Sequence, residues 1–451
     1  MSDQVSIEDL ALRTGEAVAT LVEWDERELI GDVARQSAAA SVERIWLVRS
    51  LLARGVAIED VEAAVRVHGG LVERFVGQLI ARGGPVYSLE DAARAMGVDT
   101  GVVLRLWESA GLGDVVGAWS ADDLNAVRAL RSALDAGFPE EALVQVLRVY
   151  GEALRRVAEA ETRLFHVYVH QRLRREGLSG DELMDATDAA SGPLQELVEP
   201  TVLYFHRKAW DRAVREDLVT HLAEEAGLWP TIDAEGRLPV AVAFVDLSGF
   251  TSLTAAMGDV AAAQVVERFA AMVRDIVVRS TGQVVKQIGD GFMLLFPDVG
   301  SAVRGSVALE RRVSDEPQFP SARSGIHWGP VLYRDGDYVG ATVNIAARVV
   351  AEAAPHEVLV TPPVVDQARR LTDIELVPVG RRRLRGLPEE VELFAAQSPA
   401  GLGVDKQVDP VCRMELAPAE ADARLTLGGH KHVFCSSACL QLFVAAPDRY
   451  T

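Results

Sequence analysis

Three short segments constrain the fold of this chain more tightly than any other feature. They are residues 244–251 (FVDLSGFT), 286–290 (KQIGD) and 337–348 (DYVGATVNIAAR). The apolar run 240–245 predicts a buried strand that ends at Asp246 and turns through Ser-Gly into a helix. Residues 282–296 predict a β-hairpin with a Gly-Asp-Gly turn, and residues 342–352 predict a helix. This mixture of strands and helices indicates an α+β domain over residues 237–397.

Two carboxylates stand at the turns of these predicted elements. Asp246 lies at the end of a strand and Asp290 lies in the hairpin turn. Together they can bridge two Mg²⁺ or Mn²⁺ ions, of which one activates a hydroxyl and the other neutralises a triphosphate. The free N–H groups of Phe250 and Thr251, at the start of the following helix, suit phosphate oxygens. Taken singly, Asp246 is also typical of a helix cap and Asp290 of an Asp-Gly turn.

A second pair of polar residues lies on the predicted helix. Asn344 and Arg348 are four residues apart and therefore share one helix face. An Arg fork beside an Asn amide can hydrogen-bond a ribose oxygen and an α-phosphate as negative charge develops in a transition state. Either residue alone is common on an exposed helix. Together with the two carboxylates, the pair favours chemistry on a nucleotide.

These motifs, in this order, resemble the catalytic domain of class III nucleotidyl cyclases, the adenylate and guanylate cyclase family. The resemblance implies a ferredoxin-like βαββαβ fold and attack of the ribose 3′-oxygen of ATP on the α-phosphorus, giving 3′,5′-cyclic AMP and pyrophosphate. The resemblance implies that Asp246 and Asp290 bind the two metal ions. It also implies that Lys286 and Asp337 recognise the base and that Asn344 and Arg348 stabilise the transition state. In this family two protomers share each site, so the resemblance also implies a homodimer.

The base-recognition residues carry a preference between purines. Adenine offers an acceptor at N1 and a donor amine at N6, which match an ammonium donor from Lys286 and a carboxylate acceptor from Asp337. Guanine reverses both atoms, and each mismatched buried polar group costs about 1–3 kcal/mol. We therefore expect ATP to be preferred over GTP.

One position departs from the family pattern. Members often have a phosphate-binding Lys just before the last strand, where this chain has Leu387. The nearby arginines that can supply a positive charge instead are Arg381, Arg382, Arg383 and Arg385. The same run is equally typical of a solvated surface, so both interpretations stay open.

The first 150 residues contain an internal repeat, which divides them into residues 1–85 and 86–150. Ser6-Ile-Glu-Asp returns as Ser88-Leu-Glu-Asp, at an offset of about 82 residues. Both copies predict helix-turn-helix-like modules, and the second resembles the start of a MerR-type domain. The region has about 24 acidic and 14 basic residues, whereas a DNA-binding domain should be basic. Regulation or dimerisation is therefore favoured over DNA binding.

Residues 151–230 are rich in Leu, Ala, Arg and Glu, with apolar positions at roughly helical spacing. They predict long connecting helices, and two chains can pack such helices together as a dimer stalk. The segment 229–236 is punctuated by Pro, Gly and acidic residues, so it predicts the boundary before the catalytic domain.

All three cysteines of the chain, Cys412, Cys435 and Cys439, lie near its C-terminus. Residues 404–451 resemble a YHS domain, a small treble-clef-like module associated with metal binding. Three thiolates, with His430 or His432 as a fourth ligand, suit Zn²⁺ or a softer ion such as Cu(I). The alternative is a set of buried reduced thiols in a mini-domain.

Composition bounds the partners of the chain. The net charge of −20 opposes nucleic acid or an anionic membrane as a main partner, whereas it allows a magnesium nucleotide. Without a long apolar run or a basic leader we expect a soluble, cytoplasmic protein with no membrane partner. A competing hypothesis is a helix-turn-helix transcription regulator that uses the cyclase-like domain for nucleotide sensing and dimerisation. The six catalytic-type residues together favour the enzyme.

Overall fold

The computed structural model describes residues 6–33, 36–80, 87–113, 119–227, 233, 236–369, 371–399 and 406–450. They divide into two compact units, Met1–Arg215 and Glu216–Thr451. Among the described residues, the named strands all lie in the second unit, and the predicted α+β class is confirmed. Most of the predicted boundary 229–236 lies outside the described residues. No helix in the described part of the chain has the length and apolar character needed to span a membrane.

The first unit is helical. In chain order its helices are α1 (Ile7–Thr14), α2 (Val18–Glu26), α3 (Ala38–Ala53), α4 (Ile58–Ile80), α5 (Leu89–Met96), α6 (Thr100–Ser109), α7 (Ala121–Asp135), α8 (Glu140–Phe165), α9 (Gln171–Arg175) and α10 (Gly180–Glu225), which extends into the second unit. A π-helical turn, His166–His170, joins α8 to α9.

The repeated sequence corresponds to repeated local structure. Ser6 and Ser88 are the N-caps of α1 and α5, and each serine forms a capping box with the aspartate three residues later. Both helices end at a glycine in the left-handed region, Gly15 with φ 71° and Gly97 with φ 67°. Each copy buries a separate apolar cluster, one around Trp24 and one around Trp107 and its neighbours. The first unit therefore contains two small cores.

The second unit contains a sheet domain, residues 237–397, and a cysteine module, residues 406–450. The strands of the sheet domain are β1 (Arg237–Leu247), β2 (Gln283–Ile288), β3 (Gly291–Phe296), β4 (Phe319–Pro320), β5 (Ala322–Arg334), β6 (Asp337–Val339), β7 (Val358–Val360), β8 (Glu375–Arg382) and β9 (Val391–Gln397). Its helices are α11 (Phe250–Met257), α12 (Asp259–Arg279), α13 (Val299–Ser314), α14 (Ala341–Glu352) and α15 (Pro362–Ala368).

The main sheet has the strand order β2-β3-β1-β5-β7-β9-β8, and β6 pairs with the free part of β5. Its first four strands and the helices between them form the predicted ferredoxin-like arrangement, in which β1 is antiparallel to both neighbours. Alternate residues of β1 enter different cores because strand side chains point to opposite faces. Ala241 and Val245 join the cluster that contains Phe269 of α12, whereas Val242 packs in the cluster of Ala346 of α14.

The cysteine module comprises β10 (Gln407–Val408), β11 (Met414–Leu416), β12 (Ala423–Leu427), β13 (His430–Phe434) and α16 (Ser437–Ala445). A 3₁₀ turn, Pro447–Arg449, follows α16. Strand β11 pairs antiparallel with β4 of the sheet domain, and Cys412, Phe434 and Phe443 belong to the main core of that domain. The module and the sheet domain thus share one hydrophobic core.

Candidate active site

The two carboxylates that the motifs singled out lie side by side. Asp246 is the penultimate residue of β1, and Asp290 lies in the turn between β2 and β3. Because Val245 of β1 pairs with Phe292 of β3, the strand end and the turn are adjacent. Burial and, secondly, the neighbouring Asp246 carboxylate together raise the pKa of Asp290 to about 6. Two carboxylates that repel one another in a half-buried site fit a divalent cation.

Arg323 lies opposite Asp246 and was not anticipated from the motifs. The two residues are Cα partners in the pairing of β1 with β5. The Arg323 Nη2 and Nε atoms donate to Asp246 Oδ2 at 2.7 and 3.2 Å. Arg323 therefore orients Asp246, and its cation lies beside the candidate metal ligands.

The turn after β1 has the geometry that phosphate binding needs. Gly249 is the N-cap of α11 with φ 75°, and it provides no side-chain cap for the first helical N–H groups. Phe250 and Thr251 are the first two residues of α11, as the sequence predicted. Ser248 N–H donates to Ser321 O at 2.8 Å, which ties the turn to the segment between β4 and β5. We call residues 246–250 the catalytic turn.

The residues expected to read the base contact each other. The Lys286 ammonium of β2 forms an ion pair with the Asp337 carboxylate at the start of β6. Their side chains keep 40% and 36% of their exposure, so the pair is open to solvent. Asp337 Oδ1 also accepts from the Tyr338 N–H at 2.9 Å, which fixes the carboxylate plane. A donor and an acceptor thus lie next to each other at the edge of the sheet domain.

Asn344 and Arg348 occupy successive turns of α14. Asn344 is exposed, and Arg348 is partly buried beside the loop between β8 and β9. A Cβ atom on Gly386 of that loop would lie 3.3 Å from Arg348 Nη2. Leu387, at the position where the family pattern has a lysine, packs against an apolar cluster that includes Val349. The arginines of the same segment are exposed: Arg381, Arg382, Arg383 and Arg385.

The six residues form separate groups within one chain. Asp246 touches Asp290, and Lys286 pairs with Asp337. Between described residues, no hydrogen bond or ion pair links either group to the other or to Arg348. Within one protomer, the described residues therefore leave these groups unconnected by hydrogen bonds or ion pairs.

The three cysteines converge in the cysteine module. Cys412 Sγ and Cys435 Sγ are 3.4 Å apart, and Cys435 Sγ and Cys439 Sγ are 3.6 Å apart. Hydrogen bonds from the other two thiols lower the pKa of Cys439 to about 4, which favours a thiolate. Thiolate donors at this spacing suit a soft or borderline metal ion.

The fourth potential ligand is Asp409 and not a histidine. Among the described residues, the ligand atoms of Asp409 and the three cysteines all lie within 4.8 Å of one another. The expectation of His430 or His432 was wrong, because His430 is exposed and the His432 ring packs on Phe443 at 4.8 Å. We call Asp409 and the three cysteines the cysteine cluster.

Asp409 also organises the cysteine cluster through its backbone contacts. Its Oδ1 accepts from the N–H groups of Val411 and Cys412, at 2.8 and 3.3 Å, and its Oδ2 accepts from Cys435 N–H at 2.8 Å. One fully buried carboxylate therefore holds the two cysteine-bearing loops together. Its role was missed in the sequence because Cys412 and Cys435 are distant in the chain.

Three family models match the chain. They are the adenylate cyclase regulatory domain over residues 25–205, the adenylate and guanylate cyclase catalytic domain over 232–397, and the YHS domain over 407–451. An adenylate cyclase of Streptomyces coelicolor is 31% identical over 295 residues, which cover 64% of this chain and 73% of that protein. The chain belongs to the adenylate and guanylate cyclase family.

Other relatives of the cyclase cover more of its length. A protein described as a pH-sensitive adenylate cyclase of Mycobacterium tuberculosis is 28% identical, covering 83% of this chain and 92% of that protein. Among solved structures, the adenylyl cyclase CyaB from P. aeruginosa covers 37% of this chain and 98% of its own, with 22% identity and a TM-score of 0.33. The helical region matches the model of the adenylate cyclase regulatory domain. Its likeness to MerR-type domains stays a prediction.

Proposed function

We propose that this cyclase converts ATP to 3′,5′-cyclic AMP and pyrophosphate at sites shared by two copies of the chain. The observation that carries the proposal is the pairing of Asp246 with Asp290 beside an uncapped helix N-terminus. Carboxylates and free N–H groups at one turn are suited to a magnesium triphosphate. The family match supplies the reaction class, cyclisation of a nucleoside triphosphate.

Asp246 and Asp290 would hold the two catalytic ions, Mg²⁺ or Mn²⁺. When bound, the ions would supply activation of the 3′-hydroxyl and neutralisation of the triphosphate. Arg323 keeps Asp246 oriented from the opposite strand, through Oδ2. The N–H groups of Phe250 and Thr251 would receive phosphate oxygens at the N-terminus of α11.

Lys286 and Asp337 would select adenine. Their ion pair is more than one-third exposed on both sides, so opening it to admit a base costs little. Once separated, the ammonium donates to adenine N1 and the carboxylate accepts from the N6 amine. The same two groups oppose the N1–H and O6 of guanine, which supports ATP as the substrate.

Asn344 and Arg348 would act on the developing charge. An Asn amide and a guanidinium one helical turn apart can bind the ribose oxygen and the α-phosphate together. Arg348 lies beside Gly386, where the absence of a side chain leaves room for the guanidinium. The part of Arg348 that remains exposed would be accessible to a nucleotide bound to another protomer.

Exposed apolar side chains on the connecting helices support a second copy as the partner. A stripe on α8 repeats every three to four residues: Val146, Tyr150, Leu154 and Val157. Helix α10 has no buried residue among those described, and its exposed apolar side chains include Leu197, Tyr204, Phe205, Trp210 and Val214. Long helices of this kind would pair as a dimer stalk because isolated apolar faces are unfavourable in water.

The proposal is tested by product formation from ATP or GTP, with Mn²⁺ or Mg²⁺, over a range of protein concentrations. We expect cyclic AMP to exceed cyclic GMP, and the specific activity to rise with concentration where dimers form. Asp275→Asn, an exposed carboxylate variant on α12, serves as the matched control for Asp290→Asn. Absence of cyclic nucleotide from a dimeric protein with every ion and both substrates would contradict the proposal.

A further inference from the structure

The cysteine module contacts the catalytic turn through the side chain of Arg413. Arg413 follows Cys412 directly and has φ 65°, so the loop bends sharply at this residue. A Cβ atom on Gly249 would lie 2.7 Å from Arg413 Cγ and 2.8 Å from Arg413 Cβ. The aliphatic part of Arg413 therefore lies against the backbone of Gly249, at closest packing.

The same module supports the catalytic turn from a second side. Strand β11 pairs with β4 through Met414 and Pro320, and the residue after β4, Ser321, accepts the N–H of Ser248. Ser321 is buried, so this hydrogen bond is shielded from water. Ser248 and Gly249, which follow the metal ligand Asp246 closely, are thus both held by segments that the module contacts.

Polar contacts at the rim fix the module to the sheet domain. The His356 ring bridges Glu310 of α13, at 2.5 Å, and Glu415 of β11. Lys406 Nζ donates to the carbonyls of Ser314, the last residue of α13, and Glu316, at 2.5 and 3.1 Å. With the shared core, these contacts give the cysteine cluster a defined position relative to the catalytic turn.

We propose that the cysteine module positions the catalytic turn through Arg413, so that an ion in the cysteine cluster and a nucleotide at the active site strengthen each other's binding. The proposal rests on the proposed function for the identity of the nucleotide. Arg413 is a positioning residue in this account, because it acts through Gly249. The cysteine cluster fits an ion because its three thiols and Asp409 converge in a buried site.

The coupling follows from the position of Arg413, which is bonded to Cys412 and packs on Gly249. Ligation of Cys412 Sγ restricts the loop 411–414, and the side chain of Arg413 extends from that loop onto Gly249. A loop that is already ordered costs less free energy to order again when the nucleotide binds. Linkage is reciprocal, so nucleotide at the active site must raise the affinity of the cysteine cluster by the same factor.

The test measures Zn²⁺ affinity of the full-length protein by competition with a chromophoric chelator. It is done with and without Mn²⁺ and 3′-deoxy-ATP, which lacks the attacking hydroxyl and cannot cyclise. We expect the nucleotide to tighten Zn²⁺ binding by about 5-fold or more, the lower end of typical allosteric coupling. Equal Zn²⁺ affinity in the two conditions, at saturating nucleotide, would overturn the proposal.

Variants of Arg413 separate positioning from a general effect on folding. Arg413→Gly removes the side chain at a positive φ that glycine adopts freely, and it should abolish the coupling and raise KM for ATP. Arg413→Lys keeps an aliphatic stem over Gly249 and should retain most of the coupling. Lys431→Gln, which removes the positive charge of an exposed residue of β13, is the control and should retain all of the coupling. Loss of coupling in all three variants, or in none, would contradict the role of Arg413.

Failure of this inference can be told from failure of the proposed function. If 3′-deoxy-ATP with Mn²⁺ does not bind and no cyclic nucleotide forms, the proposed function is wrong. If the protein cyclises ATP and binds the analogue, yet Zn²⁺ affinity is unchanged, only the coupling is wrong.

Discussion

The active site and the cysteine cluster hold their acidic groups in opposite ways. Asp246 and Asp290 lie at a partly exposed edge, where burial and the Asp246 carboxylate raise the pKa of Asp290. Cys412 and Asp409 are fully buried, and three backbone N–H groups already satisfy the carboxylate of Asp409. A site that must exchange substrate needs access and a tolerance for incoming ions, whereas a site that retains an ion excludes water. The contrast fits the proposal of an exchanging site at Asp246 and Asp290 and a structural ion site in the cysteine cluster.

The largest expected effect is on the rate of cyclisation, through the partly exposed pair Asp246 and Asp290. Asp290→Asn should lower cyclisation by about 10²-fold or more, since metal-based stabilisation of a transition state is worth several kcal/mol. Removing one of two repelling carboxylates should leave the melting temperature equal or higher. Activity and thermal melting, compared with Asp275→Asn, check both parts. A large fall in melting temperature would show that the pair is structural.

The second-largest expected effect is on the preference for ATP over GTP. The double variant Lys286→Gln/Asp337→Asn carries amides, which can donate or accept, so the preference for ATP over GTP should fall by about 10-fold or more. Metal affinity should not change. The matched control is Arg369→Gln/Asp366→Asn, which removes an equally simple exposed ion pair from the sheet domain. An unchanged ATP to GTP ratio of kcat/KM would argue against this assignment.

For the buried cysteine cluster, the expected effect is on ion binding and thermal stability. Cys412→Ser should abolish Zn²⁺ retention and lower the melting temperature by roughly 5 °C or more, because Cys412 also belongs to the main core. All three cysteines of the chain lie in the cysteine cluster, so thiol alkylation reports on it alone. Zn²⁺ should protect the thiols in the parent protein and in Ser437→Ala. Full thiol reactivity with Zn²⁺ present would indicate that no ion is held there.

The smallest expected effect is a pH dependence of the melting temperature that comes from His356, at the contact between the cysteine module and the sheet domain. Hydrogen bonds with Glu310 and Glu415 raise the pKa of His356 to about 9, above its ordinary value of 6.5. A raised pKa means that the contribution to stability is complete below about pH 6.5 and is lost as pH rises through 9. His356→Gln should remove roughly 2–4 °C of this pH-dependent fall in melting temperature. His221→Gln, on an exposed part of α10, is the control. Identical pH profiles of the melting temperature for the two variants would contradict a stabilising role of the His356 contacts.

The part of the site that could be predicted from the sequence is the part built by local structure. Asp246 lies at the end of a strand and Asp290 lies in a turn, and both signals are readable within a few residues. Arg323 acts through the long register of β1 with β5, and no local pattern sets that register. Asp409 and Arg413 depend on how distant loops and the cysteine module pack. The choice of His430 or His432 failed because the packing of the hairpin with α16 directs the His432 ring to Phe443.

The central claim is that two protomers share each catalytic site, and mixed mutants test it most directly. Asp246→Ala and Arg348→Ala should each be inactive alone, because each removes one half of every site. When the two proteins are mixed and allowed to exchange subunits, one site of each mixed dimer keeps both intact halves. The account predicts partial recovery of cyclic AMP formation on mixing. No recovery, although mixed dimers are demonstrated, would contradict a shared site.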